Sequence, residues 1–270
     1  AALAQALPAA TSLPPPQQPL LRPDESQPDE PTGAAHSLPR TGLPTVSRAW
    51  SSALEAGDDN GGNGNGEEDL SVEGLLHAFD FSNREVVERL GAMFAPAVKN
   101  DTKNLQGLRK VWGSLQEPRL LPALLAAELA TGIHKSSSAG RVLRDPSAAV
   151  AVVWLRRALA FQTAILEGLV ESRSAPSTAP LSAVVSAAYT KELERHHNWV
   201  LKSTMKVAFN GCPGKQEVLE KLRGGVVFSS ENEATDVTYE DLAELCSIQR
   251  RVLRAMARPL IAHDLDRSIE

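Results

Sequence analysis

The sequence predicts an all-α domain over residues 70–265, of about eight helices. Three observations carry this reading. Hydrophobic residues make up 42% of the chain but aromatic ones only 4%, so the core must be built from Leu, Ala and Val, and Ala and Leu favour helix over strand. From Leu70 onward, apolar segments are bounded by helix start and stop signals. No two segments alternate apolar and polar residues as paired strands would.

The elements follow in order. "SVEGLLHAFDF" and "SNREVVERLGAMF" each open on a Ser or Ser-Asn suited to capping a helix. Pro96 opens "PAVKNDTKNLQGLRKVW", and Gly132 ends "EPRLLPALLAAELATG". In "DPSAAVAVVWLRRALAFQTAILEGLV", Asp145 is the expected N-cap and Pro146 the first helical residue. One long helix is expected over "SAVVSAAYTKELERHHNWVLKSTMKVAF", then "GKQEVLEKL" after the "GCPG" turn. The last, "TYEDLAELCSIQRRVLRAMAR", begins on a Thr-x-x-Asp pattern and is expected to stop before Pro259.

Residues 1–69 read differently. They hold ten of the 18 prolines and the run "GDDNGGNGNGEED", with no helical or strand period. Such a composition cannot bury enough apolar surface to offset its ordering entropy, so residues 1–69 are expected to be disordered and 266–270 to form a short tail. The acidic charge also sits there. Residues 1–69 carry three arginines against ten acidic residues, whereas residues 70–270 carry 25 basic against 23 acidic ones. A nearly neutral domain is not the footprint of a nucleic-acid binder. The Pro-rich "LPPPQQPLLRP" is a candidate docking segment for a protein partner.

Enzyme signatures are missing. There is no phosphate-cradling Gly loop, no HExxH and no GxSxG. Cys212 and Cys246 lack metal-ligand spacing, so no metal and no cofactor are expected, and a reducing compartment suits them. The run "LLPALLAAELA" is too short to span a bilayer, which predicts a soluble chain.

Three patches carry potential chemistry. Asn100, Asp101 and Asn104 share one face of a helix, a cluster of donors and acceptors able to grip hydroxyl groups or simply to cap the helix start. Trp154 lines up with Ala158, Phe161 and Ile165, with Arg157 bordering the stripe; a flat ring beside a forked donor suits a polar head group, and equally a core Trp under a snorkelling Arg. In "HHNWV", a continuous helix turns His197 inward and Trp199 outward, where an exposed indole suits a water–lipid interface.

In order and spacing, "LGAMFAPAVKNDTKN", "VVWLRRALAF" and "AAYTKELERHHNWVLKSTMKVAFNGCP" resemble the glycolipid transfer protein superfamily over about residues 72–225. The resemblance implies a two-layer helical sandwich that takes one sphingolipid, its head group at the surface and its ceramide chains in an apolar cleft. It implies that Trp154 stacks under a sugar, that His197 bonds the ceramide amide oxygen, and that the family's Asp and Asn fall on Asp101 or Asn100 and on Asn104. Arg157 would serve head-group atoms, and Trp199 would touch the membrane. Gly107 stands where the glycolipid branch has a Lys. The retained Trp154 points to glycosylceramide; Lys103, Arg156 and Arg157 are what a phosphorylated cargo such as ceramide-1-phosphate would use. The implied protein is cytoplasmic, peripheral on membranes, and either transfers lipid or senses it.

Overall fold

The structure is a computed structural model and describes residues 40–56, 68–137, 140–174 and 180–266. Residues 1–39, 57–67 and 267–270, where most of the expected disorder, the Pro-rich segment and most of the tail fall, lie outside them.

Among the described residues there are nine α-helices: α1 (Leu43–Ala53), α2 (Val72–Ser82), α3 (Ala95–Ser114), α4 (Leu121–Ala130), α5 (Ala148–Glu171), α6 (Ser182–Glu192), α7 (Trp199–Ala208), α8 (Lys215–Arg223) and α9 (Glu231–Ala262). The fold is all-α, as the composition predicts. Two ribbons absent from the sequence reading interrupt it: β1 (Leu54–Ala56) pairs with β2 (Glu68–Leu70), and β3 (Lys135–Ser137) with β4 (Gly140–Val142). Each strand has only three residues, too few for an alternation to register in the sequence.

Helix α5 is the hub, packed against α3, α4, α6 and α9. By length and composition Ala148–Ser174 would suffice to cross a membrane, and 67% of its apolar window is buried within the fold. Among the described residues this helix, not the "LLPALLAAELA" segment, is therefore the longest apolar one. Its start is Ala148, with Ser147 rather than Asp145 as the cap: the Ser147 hydroxyl accepts from the Val150 N–H at 3.0 Å. Both oxygens of the buried Glu128 accept further N–H groups at the same terminus, from Ala148 and from Ala149 (2.8 Å). An anion on those orphan donors fixes the end of the helix that carries Trp154.

The ordered fold begins well before residue 70. Helix α1 buries Leu43, Val46, Trp50 and Ala53, which recur on one helical face. The Trp50 indole meets Phe79 edge-on at 4.9 Å, and Gly74 lets α1 and α2 touch, since a Cβ there would lie 2.8 Å from the Ala53 Cα. The Thr41 hydroxyl donates to Asp241 of α9 at 2.7 Å. Proline-rich surroundings hid this amphipathic stripe.

Three other boundaries move. The segment after α2 continues as a π turn (Asn83–Val87) and two 3₁₀ turns rather than as a new helix, broken at Gly91, whose φ of +128° only glycine adopts readily. Helix α9 starts at Glu231, where the Ser230 hydroxyl accepts from the Glu233 N–H; Thr238 is already inside it. It also runs through Pro259 to Ala262, because the proline forfeits one backbone bond in a helix otherwise held by buried side chains. The fourth change bears on the site. The expected single helix over 182–209 is two, α6 and α7, separated by a 3₁₀ turn and an extended His197 (φ −103°, ψ 143°). The Asn198 side chain accepts from the Leu201 N–H at 3.0 Å and so starts α7 afresh.

Candidate functional site

A cavity of about 500 Å³ lies between α3, α5, α7 and the turns that precede α3 and α7. Its walls are mostly apolar: Leu90, Met93 and Phe94 from the turns, Phe161 and Ile165 from α5, Leu201 and Met205 from α7. Polar groups join them from three directions, namely Asn100 and Asp101 on α3, Trp154 on α5, and His196, His197 and Asn198 in the break between α6 and α7.

Asp101 is 5% exposed. Its Oδ1 is buried with no hydrogen-bond partner among the described residues. Burial without full compensation pushes its carboxyl up to about 7, against a smaller downward pull from the Asn100 side chain. Asn100 is exposed at the rim. Asn104, one turn on, does not line the cavity, and its buried Nδ2 likewise has no partner among the described residues. Gly107 faces open space and Lys103 is exposed.

Trp154 is half-buried, with its ring against the cavity. The His197 imidazole stacks near it at 6.4 Å between centroids and 23° between planes, and the Arg157 guanidinium carbon sits 4.9 Å from the Trp154 centroid. Arg157 does not line the cavity. Its Nη2 donates to both carboxylate oxygens of Asp266 at 3.2 Å.

His197 is held from behind. The Tyr189 hydroxyl lies 2.9 Å from its Nδ1, and Tyr189 is itself wedged against Phe161 and Phe209. Burial pushes the Tyr189 phenol up, so it keeps its proton, and pushes His197 down, helped by Lys202 and Arg157, so the imidazole is neutral. A phenol that donates to Nδ1 leaves the imidazole proton on Nε2, a donor aimed away from Tyr189. His196 is pushed down to about 4 by burial and by Arg157 and Arg195.

Trp199 stands apart, 78% exposed at the start of α7, a helix none of whose residues is fully buried. Val200 and Val207 are exposed with it, while Leu201, Thr204, Met205 and Ala208 line the cavity. Helix α7 thus has two apolar faces, one inward and one to solvent. The continuous-helix argument for Trp199 fails with the helix break, although the exposed position stands.

The structure therefore brings Asn100, Asp101, Trp154 and His197 to one cavity, sets Asn104 and Arg157 behind it, and leaves Trp199 outside. Sequence reasoning reaches His196 and Tyr189 only as a polar helix face, and does not reach Asn198 or Asp266. Tyr189 needed the helix break to be known, and Asp266 lies 109 residues from Arg157, beyond any local pattern.

A mostly apolar cavity with a few convergent polar groups suits a ligand with one polar end. Among the described residues, no group of three or more His, Cys, Asp or Glu side chains could hold a metal ion. The family model described as "Glycolipid transfer protein (GLTP)" matches residues 73–224, more than half of the chain. This chain belongs to the glycolipid transfer protein family. It is 23% identical over 164 residues to glycolipid transfer protein 3 of Arabidopsis thaliana, a match covering 61% of this chain and 63% of that protein. It is 28% identical over 155 residues to ceramide-1-phosphate transfer protein of Rattus norvegicus, covering 57% and 68%. The structure of human ceramide-1-phosphate transfer protein with 12:0 ceramide-1-phosphate superposes with a TM-score of 0.66 at 23% identity, over 83% of this chain and 97% of that one. The match reaches beyond residues 73–224, and the two-layer helical sandwich of the glycolipid transfer protein type is the fold of this chain. The family thus includes relatives named for two head groups, a sugar and a phosphate.

Proposed function

We propose that this protein carries a sphingolipid between membranes, with glycosylceramide as preferred cargo and without covalent chemistry. One observation carries the reading: Asp101, Trp154 and His197 converge at one apolar cavity. The indole offers a flat apolar face to a sugar, the Asp101 carboxylate accepts from its hydroxyls, and His197 Nε2–H donates to the ceramide amide oxygen. The acyl chains enter between Phe161, Ile165, Leu201 and Met205. Hydrocarbon burial supplies affinity of about 0.8 kcal/mol per CH₂ relative to water. Relative to a bilayer that term nearly cancels, which keeps loading and release reversible. The outer face of α7, led by Trp199, docks peripherally on the membrane, and the site of action is cytoplasmic.

A phosphorylated cargo is the second reading, favoured by the rat and human relatives named for ceramide-1-phosphate and by Arg156, Arg157 and Arg195 near the site. A sensor that holds lipid without moving it, with a protein bound to the Pro-rich segment, is the third. Transfer between vesicles of fluorescent galactosylceramide, compared with fluorescent ceramide-1-phosphate, separates them. Faster movement of the sugar lipid is expected. Movement of the phosphate lipid alone reverses the preference, and movement of neither overturns transfer.

A further inference from the structure

Behind Trp154 lies a basic corner whose counter-anion no sequence pattern reveals. Arg156 and Arg157 are both half-buried on α5, and Arg195 and His196 approach from the turn after α6. Asp266 is the largest opposing charge acting on each of the two α5 arginines, with Glu192 a smaller one for Arg156. The Arg157 and Asp266 side chains are 15% and 4% exposed.

The chain is folded so as to deliver that carboxylate. Helix α9 ends at Ala262, the His263 carbonyl accepts from Arg141 Nε at 2.9 Å, and Asp264 reverses the backbone at φ +54°. Leu265 is then buried in the core, its N–H donating to the Leu260 carbonyl at 2.8 Å, and Asp266 follows against Arg157. A left-handed backbone at a residue other than glycine persists only where its surroundings hold it.

We propose that Asp266 is an internal counter-anion that occupies the cationic corner beside Trp154 and so biases the site toward an uncharged head group. The inference rests on the sphingolipid-binding reading and assigns its selectivity. A carboxylate and a phosphomonoester compete for the same forked guanidinium donors, and the phosphate carries close to two negative charges. With Asp266 in place, Arg157 is held by both carboxylate oxygens over the indole, and a phosphate must displace a buried pair or sit beside a like charge. A sugar has neither obstacle. Asp266 acts through Arg157 and is a positioning residue.

The test is Asp266→Asn, which keeps the shape and removes the charge, with Asp266→Glu as the conservative control and Asp266→Ala as a second route should the amide fail to fold. Two readouts are taken: the ratio of ceramide-1-phosphate to galactosylceramide transfer between vesicles, and calorimetric binding of short-chain ceramide-1-phosphate. In the Asn or Ala variant, the ratio and the affinity for the phosphate lipid are expected to rise on the order of tenfold, the scale of one charge-assisted hydrogen bond. The Glu variant is expected to stay near wild type. An unchanged ratio and an unchanged phosphate-lipid affinity in either folded variant overturn the role of Asp266. If the wild-type protein moves neither lipid, the transfer reading fails on its own, and the calorimetric comparison still decides for or against Asp266.

Discussion

The Tyr189 hydroxyl lies 2.9 Å from His197 Nδ1 and fixes which imidazole nitrogen is free to face the cavity. Tyr189→Phe keeps the ring packed between Phe161 and Phe209 and removes only that bond. Stability is expected to fall by about 1 kcal/mol, the net value of one hydrogen bond. Transfer is expected to fall several-fold more than this loss explains, because Nδ1 then competes for the proton. Urea unfolding and vesicle transfer on the same preparation check it. Unchanged transfer would remove the tautomer from the account.

The binding role proposed for Asp101 makes lipid affinity depend on pH. Its folded-state carboxyl titrates near 7 rather than the ordinary 3.8, so between those values the folded chain holds a proton that the unfolded chain has released. The stability this group contributes is complete below about 3.8, declines as pH rises and is gone above about 7. Asp101→Asn is therefore expected to melt higher than wild type at pH 8, by a margin that narrows at pH 5 and closes only below about 3.8. The same variant is expected to bind lipid more weakly, having lost the carboxylate acceptor. In the wild type, affinity for a hydroxyl-bearing head group is expected to rise from pH 6 to pH 8. Parallel melting curves at both pH values would contradict the assignment.

The docking role proposed for Trp199 can be separated from lipid holding. Because it is 78% exposed, Trp199→Ala is expected to change stability by no more than about 0.5 kcal/mol. Vesicle binding and transfer are expected to drop, while affinity for a short-chain lipid in solution stays as in wild type. Vesicle co-sedimentation beside calorimetry tests this, and a parallel loss in both would place Trp199 in the site instead.

Trp50 tests where the domain begins. It is fully buried on α1, with its ring against Phe79 of α2. Trp50→Ala is expected to cost about 3–5 kcal/mol, as large core truncations do, measured by urea unfolding. A loss below about 1 kcal/mol would mean that α1 is not part of the core.

What the sequence revealed and what it hid divide along physical lines. Asn100 and Asp101 on α3, and Trp154 with Phe161 and Ile165 on α5, sit on continuous helices, so their shared faces follow from a 3.6-residue period. The break at residues 193–198 was not legible from apolar periodicity, because α6 and α7 both read as helix. The available signal was Asn198, a residue suited to starting a helix. Helix α1 carries a readable stripe at Leu43, Val46, Trp50 and Ala53, with Pro44 in its first turn, which the proline-rich composition around it masks. The contact of Asp266 with Arg157 left no local trace, because it depends on the path of α9 and on the turn at Asp264.

The proposed transfer function turns on Trp154 as the platform for a sugar. Its most direct test is galactosylceramide transfer by Trp154→Ala beside wild type, with unfolding curves of both. Transfer is expected to fall by at least about tenfold, a loss of roughly 1.4 kcal/mol in head-group binding, with a much smaller change in stability because the ring is only half-buried. Wild-type transfer rates from a folded Trp154→Ala protein would contradict the platform and the choice of sugar lipid as cargo.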